Sequence, residues 1–208
     1  MLKQLLTQKP TLFTHNISHC DTLFETIKSQ NYKIFNLQYH QNRVNRSYNE
    51  LYNSKPKLDL SKIIEPTKEL NRVKIVYNQH GLVDVSYYIY RKKPIKKVKL
   101  IEIADFEYNY KYLNRDFFDA LYIEYQDIDE FILTKKGYIT DSTIANLAFL
   151  DKRTNKWHTP QNPLLKGTTR ERLLIEKKLI LKQIDYTKLK NYSRIAFLNA
   201  MIEFRVID

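Results

Sequence analysis

The chain has 208 residues, of which 43% are hydrophobic and 28% are charged, as is usual for a globular protein. Its single cysteine, Cys20, excludes an intrachain disulfide framework and a cysteine-rich zinc site. The first ten residues carry no apolar core of signal-peptide length, and no apolar stretch approaches the roughly 20 residues that span a bilayer, so we expect a cytoplasmic protein that does not enter the membrane.

The formal net charge of +12 fits three interpretations. It favours solubility, nucleic-acid binding, or electrostatic steering of a small polyanionic substrate or cofactor. Six of the nine residues in 91–99 are basic, which is the feature that motivates the nucleic-acid interpretation. Composition alone does not separate the three.

The first half of the chain predicts one helical region followed by strands. Residues 41–63 are polar and compatible with a helix. Two β-prone runs, 72–78 and 82–91, flank a turn and predict a hairpin. The basic stretch around Pro94 predicts a linker at 93–96, and 97–104 then predicts another strand.

The second half of the chain predicts hairpins that alternate with helices. Residues 115–126 predict a helix with four apolar side chains on one face: Phe117, Leu121, Tyr122 and Tyr125. Hairpins are predicted at 129–141 and 146–160, a helix from Thr168 to about Gln183, and a single final strand over 193–207. Hairpins with few helices between them predict an α+β fold instead of a repeating βαβ array.

The stretch "PLLKGTTRERLL" (163–174) places a glycine and two threonines at the head of an amphipathic run. A helix that begins near Thr168 would offer unpaired N–H groups to an anion, with Gly167 allowing close approach and Thr168 and Thr169 adding hydroxyl donors. The alternative is an ordinary threonine N-cap. The order Lys166-Gly167 does not match a Walker A loop. The three glycines, Gly81, Gly137 and Gly167, are the residues that take a positive φ most cheaply, so each is expected to mark a turn.

Six segments, taken in order, resemble the class IV aminotransferase family: "LFETIK" (23–28), "HQNR" (40–43), "KYLNR" (111–115), "DEFILTKKGYITDSTIANLAF" (129–149), "TPQNPLLKGTTR" (159–170) and "FLNAM" (197–201). The resemblance begins near residue 22 and covers most of the chain. It implies a fold type IV enzyme that uses pyridoxal 5'-phosphate, similar to the 4-amino-4-deoxychorismate lyases of folate synthesis. That fold has a small α/β domain, here 1–92, and a larger domain with a pseudo-barrel of mostly antiparallel strands, here 97–208.

The resemblance also implies roles for individual residues. Lys111 matches the lysine that forms a Schiff base with the cofactor aldehyde and later moves protons. Asp141 matches the carboxylate that pairs with the pyridine nitrogen, where the family usually carries glutamate. Arg43 matches the arginine that binds the cofactor phosphate from the small domain.

The remaining cofactor contacts follow from the same resemblance. Gly167, Thr168 and Thr169 match the phosphate cup on the other side. Asn199 matches a final strand that returns to the site, where it contacts phosphate or substrate. Two further residues are expected to be structural: His40, and Asn146, which orders the turn after Asp141.

Two departures from the family pattern bear on function. The segment before "LFETIK" is short, and "SHCD" lacks the usual glycines, so we expect a trimmed small domain. The family's transaminases often carry a tyrosine five residues after the lysine, where this chain has Asp116. The K-x-L-N-R form of the lysine motif favours the lyases.

The resemblance therefore implies a homodimeric lyase, without a metal, that releases pyruvate and 4-aminobenzoate from aminodeoxychorismate. The partner is a small anionic substrate, aminodeoxychorismate or an amino acid, and neither nucleic acid nor a membrane. Three alternatives stay open: a class IV aminotransferase acting on branched-chain or D-amino acids, a basic nucleic-acid-binding module that uses 91–99, and a family member that has lost its cofactor.

Overall fold

The computed structural model describes residues 1–15 and 21–207. In chain order the elements are α1 (Leu2–Leu6), β1 (Thr11–Leu12), β2 (Leu23–Gln30), β3 (Lys33–Ile34), α2 (Leu37–Glu50), α3 (Leu60–Ile63), β4 (Asn71–Asn78), β5 (Gly81–Ile89), β6 (Val98–Glu102), α4 (Asp116–Glu124), β7 (Glu130–Lys135), β8 (Tyr138–Ser142), β9 (Asn146–Asp151), β10 (Trp157–Pro160), α5 (Thr168–Ile175), β11 (Ile180–Lys182), a 3₁₀ helix (Tyr186–Asn191), β12 (Tyr192–Asn199) and β13 (Glu203–Ile207). Within the described ranges, no helix has both the length and the apolar character to cross a membrane. Cys20 and the "SHC" part of the N-terminal departure lie outside the described residues.

The chain divides into two compact units. The larger unit comprises Met1–Ile17, Lys93–Asn109 and Arg115–Asp208, and the smaller comprises Ser18–Lys92 and Tyr110–Asn114. Two segments belong to a different unit from the one expected from a small domain at 1–92 and a larger domain at 97–208. The start of the chain belongs to the larger unit, because Leu2 and Leu5 of α1 pack into that unit's core. Residues 110–114 belong to the smaller unit, where Tyr112 bridges Leu23 of β2.

The smaller unit is a four-stranded sheet in the order β3-β2-β4-β5, with the expected β4–β5 hairpin turning at Gly81. Its core joins apolar residues of β2, β4 and α2, among them Leu23, Ile27, Val44, Tyr48, Val73, Ile75 and Tyr77. A continuous helix over 41–63 is wrong: α2 ends at Glu50, and α3 starts only at Leu60. The break is local, because Asn53 takes a left-handed φ of 47° and Pro56 cannot donate a helical hydrogen bond.

The larger unit is built on a nine-stranded sheet. Its main path runs β1-β6-β7-β8-β9-β10-β11, with β12 pairing with β9 and with β13. The pairs β1–β6, β6–β7 and β10–β11 are parallel and the other pairs are antiparallel. The expected α+β class with a large, mostly antiparallel sheet is therefore confirmed.

The two predicted hairpins of this unit are confirmed, and two other predictions are wrong. The β7–β8 hairpin turns at Gly137, whose φ is 78°, and β9 pairs with β10 in antiparallel. The helix from Thr168 ends at Ile175 instead of Gln183, because Lys177 is left-handed and 180–182 pairs in parallel with β10. The final strand is a hairpin of β12 and β13, with Asn199 Oδ1 accepting from Met201 N and Ile202 N in the turn.

Candidate active site

Lys111 lies on a segment of the smaller unit that pairs with the start of β2. Phe24 N donates to Lys111 O at 2.9 Å, and Leu113 N donates to Thr22 O at 2.8 Å. The half-buried Lys111 ammonium lies 4.4 Å from the centre of the Phe24 ring, which is cation–π distance. Backbone pairing and ring contact together fix where this amine can act.

A buried ionic network lies beside β2 in the same unit. Since α2 places His40 and Arg43 three residues apart, both share a helix face and both reach Glu25 of β2. Arg43 donates from Nε to Glu25 Oε1 at 2.8 Å and from Nη2 to Oε2 at 2.5 Å. Burial alone would raise the pKa of Glu25, but the charge of Arg43 and the hydrogen bonds from His40 and Arg43 lower this pKa to about 2. Glu25 is therefore an anion that neutralises Arg43.

His40 completes this network as a neutral side chain. Its Nδ1 lies 2.6 Å from Glu25 Oε2. Burial lowers the pKa of His40, and the charges of Arg43 and Lys111 lower it further, against the opposing effect of Glu25. Nδ1–H therefore donates to Glu25, as the structural role expected for His40 requires.

Asp141 lies at the end of β8 in the larger unit and is buried. Its Oδ1 accepts from Asn146 Nδ2 at 2.7 Å, and its Oδ2 accepts from Leu165 N at 2.8 Å. Asn146 Nδ2 also donates to Leu165 O at 2.8 Å. Burial raises the pKa of Asp141 to about 6, although these hydrogen bonds favour its carboxylate. Asn146 thus orders the turn after Asp141, as expected, and also ties this carboxyl to the loop before α5.

The start of α5 differs from an ordinary threonine cap. The N-cap is Gly167, and it has no side-chain cap hydrogen bond, so the threonine N-cap alternative is wrong. Thr168 and Thr169 are the first helical residues, 3% and 1% exposed. Among the described residues, Thr169 Oγ1 has no hydrogen-bond partner. First-turn N–H groups beside an unpartnered buried hydroxyl form a cup that fits an anion.

Gly167 is required for a reason other than backbone conformation. Its φ of −74° is available to any residue, unlike the positive φ of Gly81 and Gly137. A Cβ at this position would lie 2.0 Å from Asn146 Oδ1. The close approach that demands glycine is therefore to Asn146, which connects Asp141 with the cup.

The larger unit thus unites a buried carboxylate with an anion cup, and the smaller unit unites a lysine with an arginine. The profile of the amino-transferase class IV family matches residues 22–208. The chain belongs to the class IV aminotransferase family. The family depends on pyridoxal phosphate, so its chemistry needs the residue types that the two units carry.

Relatives of this class IV aminotransferase family member agree in sequence and fold. An uncharacterized protein of Haemophilus influenzae is 36% identical over 185 residues, 86% of this chain and 97% of that protein. A candidate 4-amino-4-deoxychorismate lyase from Haemophilus somnus is 32% identical, with a TM-score of 0.76 over 88% of this chain and 98% of that one. The pyridoxal-phosphate-bound form of a hypothetical aminotransferase from Mycobacterium tuberculosis is 14% identical, with a TM-score of 0.69 over 93% and 84% of the two chains, and shows the fold alone. The expected fold type IV architecture is confirmed.

Replacing Gly167 with alanine is expected to destabilise the larger unit by about 1–3 kcal/mol, because the new methyl group displaces Asn146 from Asp141 and from Leu165 O. Urea unfolding measures this loss. In an Asn146→Ser background the same glycine substitution should cost much less, since the clashing amide is gone. An equal cost in both backgrounds would show that Gly167 is needed for something else.

The Glu25 network predicts acid sensitivity of the smaller unit. The folded pKa of Glu25, about 2, is below its unfolded value of 4.5, so its contribution to stability is complete above about pH 4.5 and declines as the pH falls towards 2. We expect Glu25→Gln to lower the free energy of unfolding of this unit by about 3 kcal/mol at pH 6 and by less at pH 3. Hydrogen-exchange rates of the β4 amides measure both values. A cost that does not change with pH would contradict this charge state.

Asn199 and Glu130 show what sequence reasoning did not resolve. The Asn199 amide donates to Ile144 O at 3.1 Å, and its oxygen accepts in the β12–β13 turn. Its cofactor contact stays a prediction, while its observed partner is the loop after Asp141. Glu25 and Glu130 are buried carboxyls that the sequence did not single out. Both stand in runs that predict ordinary strands. The one available signal was an acidic residue at a strand position where the pattern predicts burial.

Proposed function

We propose that this protein is a pyridoxal-phosphate-dependent 4-amino-4-deoxychorismate lyase that releases pyruvate and 4-aminobenzoate. One observation carries the proposal: Asn146 joins the buried carboxyl of Asp141 to the loop that leads into the anion cup of α5. Pyridoxal phosphate needs these two features together, an anionic partner for its ring nitrogen and donors for its phosphate.

The cluster in the larger unit fits that cofactor. The hydroxyl of Thr169 lacks a partner among the described residues and is proposed to donate to a phosphate oxygen, together with Thr168 and the first N–H groups of α5. Gly167 keeps Asn146 in place at the edge of the cup. Asp141, with a pKa of about 6, is a carboxylate at neutral pH and suits a protonated ring nitrogen.

The smaller unit supplies the reactive amine. Lys111 is proposed as the residue that bonds covalently to the cofactor, and it is half-buried. Arg43, which Glu25 holds through Nε and Nη2, is proposed to bind the cofactor phosphate, as the family resemblance implies. Glu25 and His40 would then orient the guanidinium group without contacting the cofactor themselves.

Each residue has a distinct task in the proposed reaction. Bound pyridoxal phosphate supplies a ring that accepts electrons from the carbon next to the substrate amine. Lys111 would act as the base that takes the proton from that carbon. Asp141 holds the proton on the ring nitrogen, which keeps the ring able to accept electrons. In the larger unit the cup is proposed to hold the phosphate, and in the smaller unit Arg43 is proposed to do the same, since a fixed cofactor reacts faster than a mobile one.

The lyase is favoured over a transaminase by two features. Lys111 lies in a K-x-L-N-R motif, and the Haemophilus somnus candidate lyase is 32% identical over nearly its full length. The proposed substrate carries two carboxylates, which suits a net charge of +12. We also propose a homodimer, which sedimentation of the purified protein tests.

A direct assay separates the two reactions. The purified protein, loaded with pyridoxal phosphate, is given aminodeoxychorismate, and pyruvate and 4-aminobenzoate are measured. The lyase proposal expects both products in equal amounts. Amino transfer from branched-chain or D-amino acids to 2-oxoglutarate, without lyase turnover, would replace it with the transaminase.

A further inference from the structure

Thr143, in the loop between β8 and β9, is held by three side chains of the larger unit. Its Oγ1 donates to Glu130 Oε1 at 2.6 Å, and its N–H donates to the same oxygen at 3.1 Å. The Tyr122 hydroxyl lies 2.8 Å from Thr143 Oγ1. When Glu130 is ionised, Thr143 donates to it and Tyr122 then donates to Thr143. Arg115 Nη2 donates to Thr143 O at 2.9 Å. Every polar group of Thr143 is therefore engaged.

The loop that Thr143 anchors carries Asp141 at one end and Asn146 at the other. Ser142 Oγ accepts from Ala145 N at 3.0 Å, and Ser142 N donates to Ala145 O at 2.8 Å, so the turn is also closed internally. The turn cannot shift as a unit without carrying Asp141 or Asn146 with it. Thr143 is thus a point at which the position of the Asp141 carboxyl is fixed.

Burying Glu130 costs free energy that a purely structural role does not explain. It is 1% exposed, and burial raises its pKa to about 7 despite the hydrogen bonds from Thr143 and from Phe131 N. An apolar side chain at a buried strand position generally stabilises a fold at least as well as an ionisable one. A buried carboxyl that accepts three donors is better explained by the geometry it imposes on the loop.

We propose that Glu130, Tyr122 and Arg115 are positioning residues that act through Thr143 to hold Asp141 opposite the cofactor ring nitrogen. This inference rests on the proposed function, since it gives Asp141 that role. Arg115 lies four residues after Lys111 in the same K-x-L-N-R motif. Its side chain therefore gives that motif a second task, which is to fix the loop after Asp141.

Hydrogen exchange of the Leu165 N–H reports on the position of the Asp141 carboxyl, because this N–H donates to Asp141 Oδ2 at 2.8 Å. The test compares hydrogen exchange at Leu165 in the cofactor-free protein and its variants. We call Thr143 with Glu130, Tyr122 and Arg115 the clamp, and Thr143→Val removes the hydroxyl from it. Thr134→Val is the matched control, because Thr134 Oγ1 makes an equally short 2.6 Å bond to Glu102 Oε2 in the same unit.

We expect Thr143→Val to speed Leu165 exchange by about tenfold to a hundredfold, the equivalent of one hydrogen bond to a charged group, and Thr134→Val to leave it near the wild-type rate. Tyr122→Phe, which removes only one hydroxyl, should give a smaller increase and serves if Thr143→Val does not fold. Thr143→Ser restores the hydroxyl and should restore wild-type exchange. Unchanged exchange in Thr143→Val or Tyr122→Phe, or an equal increase in Thr134→Val, overturns the clamp.

A second measurement connects the clamp to the cofactor. The Kd for pyridoxal phosphate should rise about tenfold in Thr143→Val and stay unchanged in Thr134→Val. A wild-type protein that does not bind pyridoxal phosphate would refute the proposed function, while the exchange measurement would still decide whether the clamp holds Asp141. A clamp confirmed by exchange but without effect on Kd would refute its role in positioning Asp141 for the cofactor.

Discussion

Replacing Lys111 with alanine is expected to abolish lyase turnover and the visible absorbance of covalently bound pyridoxal phosphate. The substitution would remove both the amine proposed to bond to the cofactor and the base proposed to take the substrate proton, so turnover should fall by at least about 10²–10⁴-fold. The fold should survive. Lys111 pairs with β2 through its backbone oxygen, which alanine keeps, and the lost cation–π contact with Phe24 is worth only about 0.5–1 kcal/mol. Product assay and absorbance spectra measure the two effects.

Lys74→Ala is the matched control for that experiment. Lys74 is half-buried in the same unit, and its ammonium lies 5.6 Å from the same Phe24 ring. Loss of a cation beside Phe24 is therefore common to both variants, whereas loss of the reactive amine is specific to Lys111→Ala. Turnover should be near wild type in Lys74→Ala. If Lys111→Ala keeps the absorbance band, another lysine bears the cofactor and the assignment is refuted.

The hairpins could be predicted from the sequence, because each depends on a local turn. Gly81 and Gly137 take positive φ where the chain reverses, and the flanking β-prone runs pair directly. The prediction for 176–183 failed because pairing with β10 is not local. Apolar Ile180 and Leu181 suit a helix stripe and an edge strand equally, and only the distant partner selects the strand.

The candidate site was predictable only in part. The residues of the anion cup follow from "KGTT", since glycine and threonine before an apolar run predict a helix start. Lys111, in contrast, is one of many lysines and was found through the family resemblance. The link from Asp141 through Asn146 to the cup was not visible, because residues 141, 146 and 165 converge only when β8, β9 and the loop before α5 are folded.

The buried carboxyls divide into two kinds according to their partners. Glu25 faces a guanidinium group, so its pKa falls to about 2 and its charge is stable. Glu130 and Asp141 are held by uncharged donors, so burial raises the pKa of each, to about 7 and about 6. The charge of buried Arg170 lowers the pKa of Asp141 but does not offset the effect of burial. The protonated ring nitrogen of the proposed cofactor would add a second positive charge and favour the carboxylate further.

Replacing Asp141 with asparagine is therefore expected to reduce turnover by about 10²-fold or more, because the ring nitrogen loses its anionic partner. While turnover falls, the stability of Asp141→Asn relative to wild type should increase as the pH rises. The folded pKa of Asp141, about 6, exceeds its unfolded value of 3.8, so its favourable contribution is present below about pH 3.8 and is lost as the pH rises through 6. Two pKa units correspond to about 3 kcal/mol. Relative to wild type, cofactor-free Asp141→Asn should gain about that much stability between pH 4 and pH 8, measured by urea unfolding.

This opposite movement separates a cofactor role from a packing role. A carboxyl kept only for packing would, when replaced, change stability and turnover in the same direction. Asp141→Glu is the conservative control, because it keeps the charge and adds one methylene, at an overpacking cost of about 1–3 kcal/mol. It should retain more turnover than Asp141→Asn in spite of that cost. Equal turnover in wild type and Asp141→Asn would show that the charge at Asp141 does not hold the ring nitrogen, and the anionic partner would have to be another residue.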